Sequence, residues 1–300
     1  MFDDILVPTD GSENALKALD HALLLAGVFD ATVHGVYVVN VTYAADFEGG
    51  IDSGTVYDAL QREGEGATEA IRDRCEAAGV DVRTDVVDGR PARSIVEYAA
   101  ENDVDLVAMG THGRSGVSRL LLGSVTESVL RRTDRDVLTV PKDAPDPGDG
   151  YSTVLVAADG SEDSAEAVAR AIDLASPFGA VLRGLYVVDA SFTHNELVED
   201  LLEREGETVT ADIEEDATAA GVPVETAIAD GEPHEEIVDY AAETDASVIV
   251  LGSHGKGAIE RTVLGSVSER TVRTANRPVL IVRDRSSESP GEPNPDEDGQ

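Results

Sequence analysis

Residues 106–113 read LVAMGTHG, a short apolar run that leads into two glycines separated by two residues, and residues 248–255 read VIVLGSHG in the same pattern. Each stretch is followed by nine residues and then by a Gly-Ser pair, Gly123-Ser124 in the first case and Gly265-Ser266 in the second. A run of this kind, bounded by glycine, is typical of a buried strand of a parallel sheet. Its occurrence twice predicts two copies of one domain.

The repeat extends well beyond these loops. The tetrapeptide DGSE occurs at 10–13 and again at 159–162, an offset of 149, whereas from residue 62 onward the offset is 142. The second copy is therefore seven residues shorter in the connection between residues 39 and 62. An insertion confined to one connection is compatible with a shared fold.

The composition between and after the copies predicts their boundaries. Residues 141–150 are rich in Pro, Gly and Asp, which indicates a linker. We expect a first domain over 1–142, a linker over 143–150 and a second domain over 151–284. The remaining residues, 285–300, are acidic and rich in Ser, Pro and Gly, and we expect them to be disordered.

The overall composition is that of a globular protein. Three hundred residues are enough for two domains with cores of their own, and 41% of the residues are hydrophobic. No apolar run approaches the roughly 18 residues of a membrane span, and the start of the chain resembles a strand rather than a signal peptide. We therefore expect a cytoplasmic protein. Cys75, the single cysteine, excludes an intramolecular disulfide.

The formal charge of -37 restricts the partners of the protein. Binding to DNA or RNA regardless of sequence needs clustered basic residues, so we expect no nucleic-acid partner, and an anionic membrane surface is disfavoured for the same reason. We interpret the acidity as adaptation to high salt, with an acidic interaction surface as the alternative. Because the global field opposes phosphate, local backbone dipoles must hold any phosphate ligand.

Apolar runs alternate with helical patterns through the first copy. We predict strands at 4–8, 32–39, 82–87, 106–109 and 137–140, and helices at 12–27, 55–78, 91–101 and 125–132. This alternation indicates an α/β fold, a doubly wound parallel sheet in the order 3-2-1-4-5, with a ligand site between strands 1 and 4. Gly79 is expected to terminate the second helix.

The loop after strand 4 has the features of a phosphate site. Glycines can adopt positive φ and let a ligand approach the main chain, and the Gly-Ser pair opens a helix whose N-terminus favours anions. The alternative for Ser124 and Glu127, as for Ser266 and Glu269, is a capping box, which needs no ligand. That alternative does not explain the two glycines upstream. The loop is neither a dinucleotide fingerprint, which follows strand 1, nor a Walker loop.

The G-x2-G-x9-G-S spacing resembles the ATP-binding signature of the universal stress protein family, and the likeness includes Pro8-Thr9-Asp10 after strand 1. It covers almost all of both repeats. The resemblance implies adenine nucleotide, as ATP, ADP or AMP, with Mg²⁺ or Mn²⁺ as ions that the nucleotide could carry. The implied contacts are Pro8, Thr9, Asp10, Val38, Gly110, His112, Gly113, Arg114, Gly123, Ser124, Val125 and Thr126, and in the second copy Ala157, Ala158, Asp159, Val187, Gly252, His254, Gly255, Lys256, Gly265, Ser266, Val267 and Ser268.

For two pairs of these residues, a structural role that needs no ligand is the alternative to nucleotide contact. Asp10 and Asp159 match a family contact to the nucleoside, but either could cap the following helix. Val38 and Val187 match the position whose backbone reads the adenine edge in relatives, but by composition each is simply a strand residue.

The charged residues of the loops also have two interpretations. His112 and His254 could reach phosphate or be surface histidines. Neither has a partner at metal-ligand spacing, so we expect no metal site made by the protein alone. Arg114 and Lys256 could neutralise phosphate or lie in solvent.

The likeness also bears on assembly. Residues 136–140 and 278–282 would be apolar sheet edges, and members of the family pair these edges across a two-fold axis. We therefore expect the two repeats to form a pseudo-dimer through their fifth strands, with a homodimer as a further option. The copies differ at residues 8–9 and 157–158, so the two sites could differ in affinity, and one could be empty.

Three functions are compatible with these features. The leading hypothesis is an ATP-binding regulatory protein of the stress response that acts on a protein partner. The alternatives are slow ATP hydrolysis or phosphoryl transfer, and a nucleotide-free adaptor or scaffold. Phosphoryl transfer needs placed metal ligands and a group that orients the nucleophile. We find no such set and assign no catalytic residue.

Overall fold

A computed structural model describes residues 1–40, 53–113, 122–189, 196–255 and 264–283. The predicted tail at 285–300 lies outside these ranges, as do Arg114 and Lys256. The first repeat contains β1 (Asp4–Thr9), α1 (Glu13–Phe29), β2 (Thr32–Asn40), α2 (Ser53–Ala78), β3 (Val82–Gly89), α3 (Pro91–Glu101), β4 (Leu106–Gly110), α4 (Ser124–Arg132) and β5 (Asp136–Val140).

The second repeat has the same order of elements. It contains β6 (Thr153–Ala157), α5 (Glu162–Ala175), a short 3₁₀ turn (Ser176–Phe178), β7 (Val181–Val188), α6 (Glu196–Ala219), β8 (Val224–Asp230), α7 (Pro233–Glu243), β9 (Val248–Gly252), α8 (Ser266–Thr274) and β10 (Val279–Val282). None of the helices in the described ranges is both long and apolar enough to cross a membrane.

All ten strands form one continuous sheet in the order β3-β2-β1-β4-β5-β10-β9-β6-β7-β8. Within each repeat the strands are parallel and follow the predicted order 3-2-1-4-5. The repeats join where β5 pairs with β10 in antiparallel register, with Leu138 opposite Leu280. The predicted fold class, including the pseudo-dimer through the fifth strands, is confirmed.

The helix ends follow local chemistry. Ser12 caps α1 by accepting a hydrogen bond from the Ala15 N–H, so the helix begins at Glu13, one residue later than predicted. Gly79 has a φ of +72° after the last residue of α2, a left-handed conformation that glycine adopts without strain, which confirms its role as a helix terminator. Pro91 occupies the first turn of α3, as expected.

Both faces of the sheet are covered by helices. Ile5 and Val7 pack in one apolar layer and Leu6 in the other, and all three are completely buried. Each layer contains residues of both repeats, so the two halves share continuous cores. Cys75 lies in the first layer, where burial raises the pKa of its thiol to about 11. The thiol therefore stays protonated at neutral pH.

A buried carboxylate, that of Asp136 in the first repeat, lies at the seam between the repeats. Asp136 is fully buried; its carboxylate lies 3.1 Å from Nε of Arg170 and accepts a hydrogen bond from the Arg283 N–H at 2.9 Å. The Arg283 guanidinium donates to the Leu130 carbonyl of the first repeat. The residue that corresponds to Asp136 in the second repeat is Pro278, so this interaction has no symmetric counterpart.

A second buried contact joins α1 to the start of the second repeat. His21 Nδ1 lies 3.0 Å from the Tyr151 hydroxyl, and both side chains are buried. Desolvation lowers the pKa of His21 to about 4, so the ring is neutral at physiological pH. Nearby, Lys17 donates to the Ala144 carbonyl at 2.8 Å, which fastens the segment between the repeats to α1.

Candidate functional site

A cavity of about 410 Å³ lies at the switch point of the first repeat, between the carboxyl ends of β1 and β4. Ligands of doubly wound sheets bind at this place. Of the site residues predicted for this repeat, only Arg114 lies outside the described chain. The others all line the cavity: Pro8, Thr9, Asp10, Val38, Gly110, His112, Gly113, Gly123, Ser124, Val125 and Thr126.

The loop after β4 is closed at its base by two hydrogen bonds. The Gly123 N–H donates to the Thr111 carbonyl at 2.7 Å, and the Thr126 hydroxyl donates to the Gly110 carbonyl at 2.8 Å. In the second repeat the Gly265 N–H donates to the Ser253 carbonyl and the Ser268 hydroxyl to the Gly252 carbonyl, both at 2.8 Å. Both loops thus bring their glycines to the start of the following helix.

Among the described residues, no side chain caps the N-terminus of α4 or α8. Their N-cap residues are Gly123 and Gly265, and Ser124 and Ser266 are the first helical residues, so neither predicted capping box forms. The capping alternative is therefore wrong. The first N–H groups of a helix have no intrahelical acceptor, and an anion can accept from them here because no side chain of the described ranges does so.

The site requires glycines because neighbouring atoms lie close to their Cα atoms, and not because of their backbone conformation. The sequence suggested positive φ, but none of the six site glycines is in the left-handed region, and Gly123 has a φ of -60°. A Cβ at Gly123 would lie 3.0 Å from the Thr111 carbonyl oxygen, and one at Gly113 would lie 2.7 Å from Asp10 Oδ2. A larger residue at Gly123 would therefore press against the main chain of Thr111, and one at Gly113 would displace the Asp10 side chain.

Asp10 follows the last residue of β1; it is half-buried, lines the cavity and lies directly beside Gly113. It is not the N-cap of α1, which is Ser12; its Oδ1 instead accepts a hydrogen bond from the Ser12 N–H at 3.0 Å. Asp159 makes the same contact with Ser161, and a Cβ at Gly255 would lie 2.7 Å from Asp159 Oδ2. The helix-cap interpretation of both aspartates is thus wrong.

The two valines lie at the carboxyl ends of β2 and β7. The pairing of β1 with β2 ends at Tyr37, so Val38 is the first residue beyond it. The pairing of β6 with β7 ends at Leu185, two residues before Val187. In the described residues, the main chain at Val38 and Val187 therefore lies beyond the pairing with the first strand of its repeat, β1 or β6.

Sequence reasoning missed much of the apolar lining. Part of the first cavity is formed by Ala15, Val36, Tyr37, Ile95 and Met109, which come from α1, β2, α3 and β4. Each of these residues fits an ordinary core position, so only their convergence in three dimensions reveals a surface that suits a flat apolar ring.

The two sites differ beneath the loop histidines. In the second repeat Asp163 Oδ2 accepts from the Ser253 hydroxyl, the His254 N–H and His254 Nδ1, at 2.9 to 3.0 Å. In the first repeat the corresponding residue is Asn14, whose amide donates to the His112 carbonyl at 2.9 Å. A carboxylate only accepts, so this contact favours the tautomer of His254 that carries its proton on Nδ1. The sequence shows that Asp163 corresponds to Asn14, but it does not show that Asp163 contacts His254, 91 residues further along the chain.

The described residues contain one group of three side chains that could share a metal ion, Glu232, His234 and Glu235 at the start of α7. None of them is a predicted site residue, and Glu232 already forms an ion pair with Arg270.

The model of the universal stress protein family matches residues 1–141 and 150–283, one match for each repeat. The chain belongs to the universal stress protein family. A universal stress protein of Methanocaldococcus jannaschii is 37% identical over 142 residues, 47% of this chain and 84% of that protein. One of Mycolicibacterium smegmatis is 28% identical over 292 residues, 94% of this chain and 97% of the relative.

A solved universal stress protein from Archaeoglobus fulgidus matches over both repeats. It superposes with a TM-score of 0.72 at 26% sequence identity and covers 94% of this chain and 96% of that one. Because the match covers nearly all of both chains, the Archaeoglobus fulgidus structure has the same tandem architecture.

Proposed function

We propose that this universal stress protein binds adenine nucleotide, with ATP as the principal ligand, at the loop of each repeat. The observation that carries the proposal is the uncapped N-terminus of α4, which lies beside a glycine loop and at one end of a cavity with an apolar lining. An apolar surface suits the base, and backbone N–H groups suit the phosphates. The same uncapped helix start recurs at α8.

The net charge of the chain also supports phosphate binding by main-chain N–H groups. At a formal charge of -37, the field of the whole protein repels phosphate. Main-chain N–H groups and the helix dipole act at short range, where they are little affected by the distant surface charge. Arg114 and Lys256 are proposed to add positive charge to the loops.

A divalent ion belongs to this proposal as part of the ligand. Asp10 places one carboxylate at the cavity of the first repeat and Asp159 has the equivalent position beside Gly255, and a single carboxylate suits Mg²⁺ or Mn²⁺ that arrives bound to the phosphates. We propose no ion held by the protein alone.

The proposed role is regulatory and cytoplasmic: nucleotide occupancy would set which protein partner the chain engages in the stress response. The proposed units are residues 1–142 and 151–284, joined by 143–150, with the acidic tail at 285–300. Adaptation to high salt is part of the same proposal.

The test is to identify the nucleotide that the purified protein carries. Protein heated to release its ligand is run on a column that resolves ATP, ADP and AMP, and the amount is compared with the protein concentration. We expect adenine nucleotide at up to two per chain. If no nucleotide is released and calorimetry in high salt shows no ATP binding, the adaptor alternative replaces this proposal. Phosphate release well above that of a variant with bulky substitutions at Gly113 and Gly255 would favour the enzyme.

A further inference from the structure

Four charged side chains form a closed ring across the seam between the repeats. Arg131 of α4 lies 2.8 Å from Glu269 of α8 and 3.4 Å from Glu127 of its own helix. Arg273 of α8 lies 3.2 Å from Glu127 and 2.9 Å from Glu269. We call these four residues the charge ring; each arginine contacts the glutamates of both repeats, and the ring has no net charge.

The charge ring is attached to the two helices that begin at the proposed phosphate sites. Glu127 lies in the first turn of α4, one turn from the N-cap Gly123, and Glu269 has the same position in α8. A carboxylate in a first turn interacts favourably with the helix dipole, but it repels an anion bound at the same helix end. The first-turn glutamate therefore opposes phosphate binding unless a positive charge neutralises it.

We propose that each phosphate site is completed electrostatically by an arginine of the other repeat, Arg273 for the site at Gly123 and Arg131 for the site at Gly265. The inference rests on the proposed nucleotide function and deepens it. It assigns these arginines as positioning residues that act on phosphate affinity through the first-turn glutamates, without touching the ligand.

Holding the repeats together is the competing explanation of the charge ring. The β5–β10 pairing and the shared apolar layers already join the repeats. The ring side chains are 23% to 38% exposed, and ion pairs at that exposure contribute little to stability. A ligand with several negative charges responds to each uncompensated glutamate, so interactions of this small size are measurable as a change in phosphate affinity.

The experiment isolates the first site and changes a residue of the second repeat. In a Gly265→Val background, which blocks the second loop, ATP and adenosine binding are measured by calorimetry over a series of salt concentrations. Adding Arg273→Gln is expected to raise the Kd for ATP about two- to five-fold at ~0.15 M salt and less at molar salt, because salt screens the effect. Adenosine has no phosphate, so its Kd is expected to stay unchanged.

Two further variants separate charge from structure. Glu127→Gln added to Arg273→Gln returns the ring to zero net charge, and we expect it to restore the ATP affinity. Arg270→Gln is the matched control, since Arg270 is on the same helix but pairs with Glu232 of its own repeat; it changes the charge of the chain equally and is expected to leave ATP binding unchanged.

The outcomes distinguish a failure of the proposed nucleotide function from a failure of the arginine inference alone. No ATP binding by the unmodified protein refutes the nucleotide function and this inference with it. If the unmodified protein binds ATP, the inference alone is overturned by any of three results: an unchanged Kd in Arg273→Gln, an equal loss for adenosine, or an equal loss in Arg270→Gln. The mirrored set, Arg131→Gln in a Gly123→Val background, serves if the first background does not fold.

Discussion

The buried His21 makes the stability of the protein depend on pH in a way that one substitution can isolate. Burial lowers the pKa of His21 from 6.5 to about 4, so between these values the unfolded chain binds a proton that the folded chain does not. Stability is therefore lost as the pH falls through 6.5, and the loss is complete below 4. A lowering of the pKa from 6.5 to about 4 corresponds to a maximum of about 3 kcal/mol, and at pH 5 the loss is about 2 kcal/mol.

The assay is urea unfolding at constant high salt between pH 7.5 and 5, followed by circular dichroism. Many carboxylates titrate toward the acid end of this range, so the informative quantity is the difference between the original protein and His21→Gln. We expect the original protein to lose about 2 kcal/mol more than the variant between pH 7.5 and 5.

The control for this experiment is Tyr151→Phe, which removes the hydroxyl beside His21 Nδ1 but keeps the ring that buries it. Because desolvation is the main cause of the lowered pKa, the pH dependence should survive in this variant. Parallel curves for the original protein and His21→Gln would refute the reasoning, since they would mean that His21 is not desolvated by the packing of the second repeat.

Three other predictions concern the site and the seam. Gly123→Val places side-chain atoms against the Thr111 carbonyl, so we expect the ATP stoichiometry from calorimetry to fall from two to one, and loss of both sites would contradict independent loops. Asp136→Ala removes the buried carboxylate beside the half-buried Arg170 and leaves the buried Arg283 N–H without its acceptor, so we expect a loss of about 3 kcal/mol in urea unfolding; a change below ~1 kcal/mol would argue against a buried ion pair. Asp163→Ala removes the acceptor that faces Nδ1 of the loop histidine in the second repeat, so we expect the share of the Nδ1–H tautomer in its ¹⁵N spectrum to fall, and an unchanged spectrum would contradict this contact.

The sequence predicted the fold well because the fold depends on local and repeated patterns. Short Val- and Leu-rich runs between helices indicate a parallel sheet, and the handedness of crossovers leaves few strand orders. The apolar stretches 136–140 and 278–282 could not both be left as edges, and their pairing joins the two sheets.

Prediction was less successful where contacts join residues distant in sequence. The pattern Ser124-x-x-Glu127 fits a capping box, but the Gly123 N–H bonds to the Thr111 carbonyl, and the helix begins with glycine as its N-cap. Glu127 then pairs across the seam with Arg273, 146 positions away in the sequence. A partner of this kind can be identified only after the two repeats are placed together.

The fusion of the repeats into one chain has a consequence for how the sites behave on dilution. Two separate copies paired through β5 and β10 would come apart at concentrations below their dissociation constant, whereas the covalent connection keeps the partner strand at a high effective concentration. Fusion also removes the requirement that both sides of the axis carry the same residue. Asp136 in the first repeat can therefore correspond to Pro278 in the second, and the two halves can evolve different properties without losing their partner.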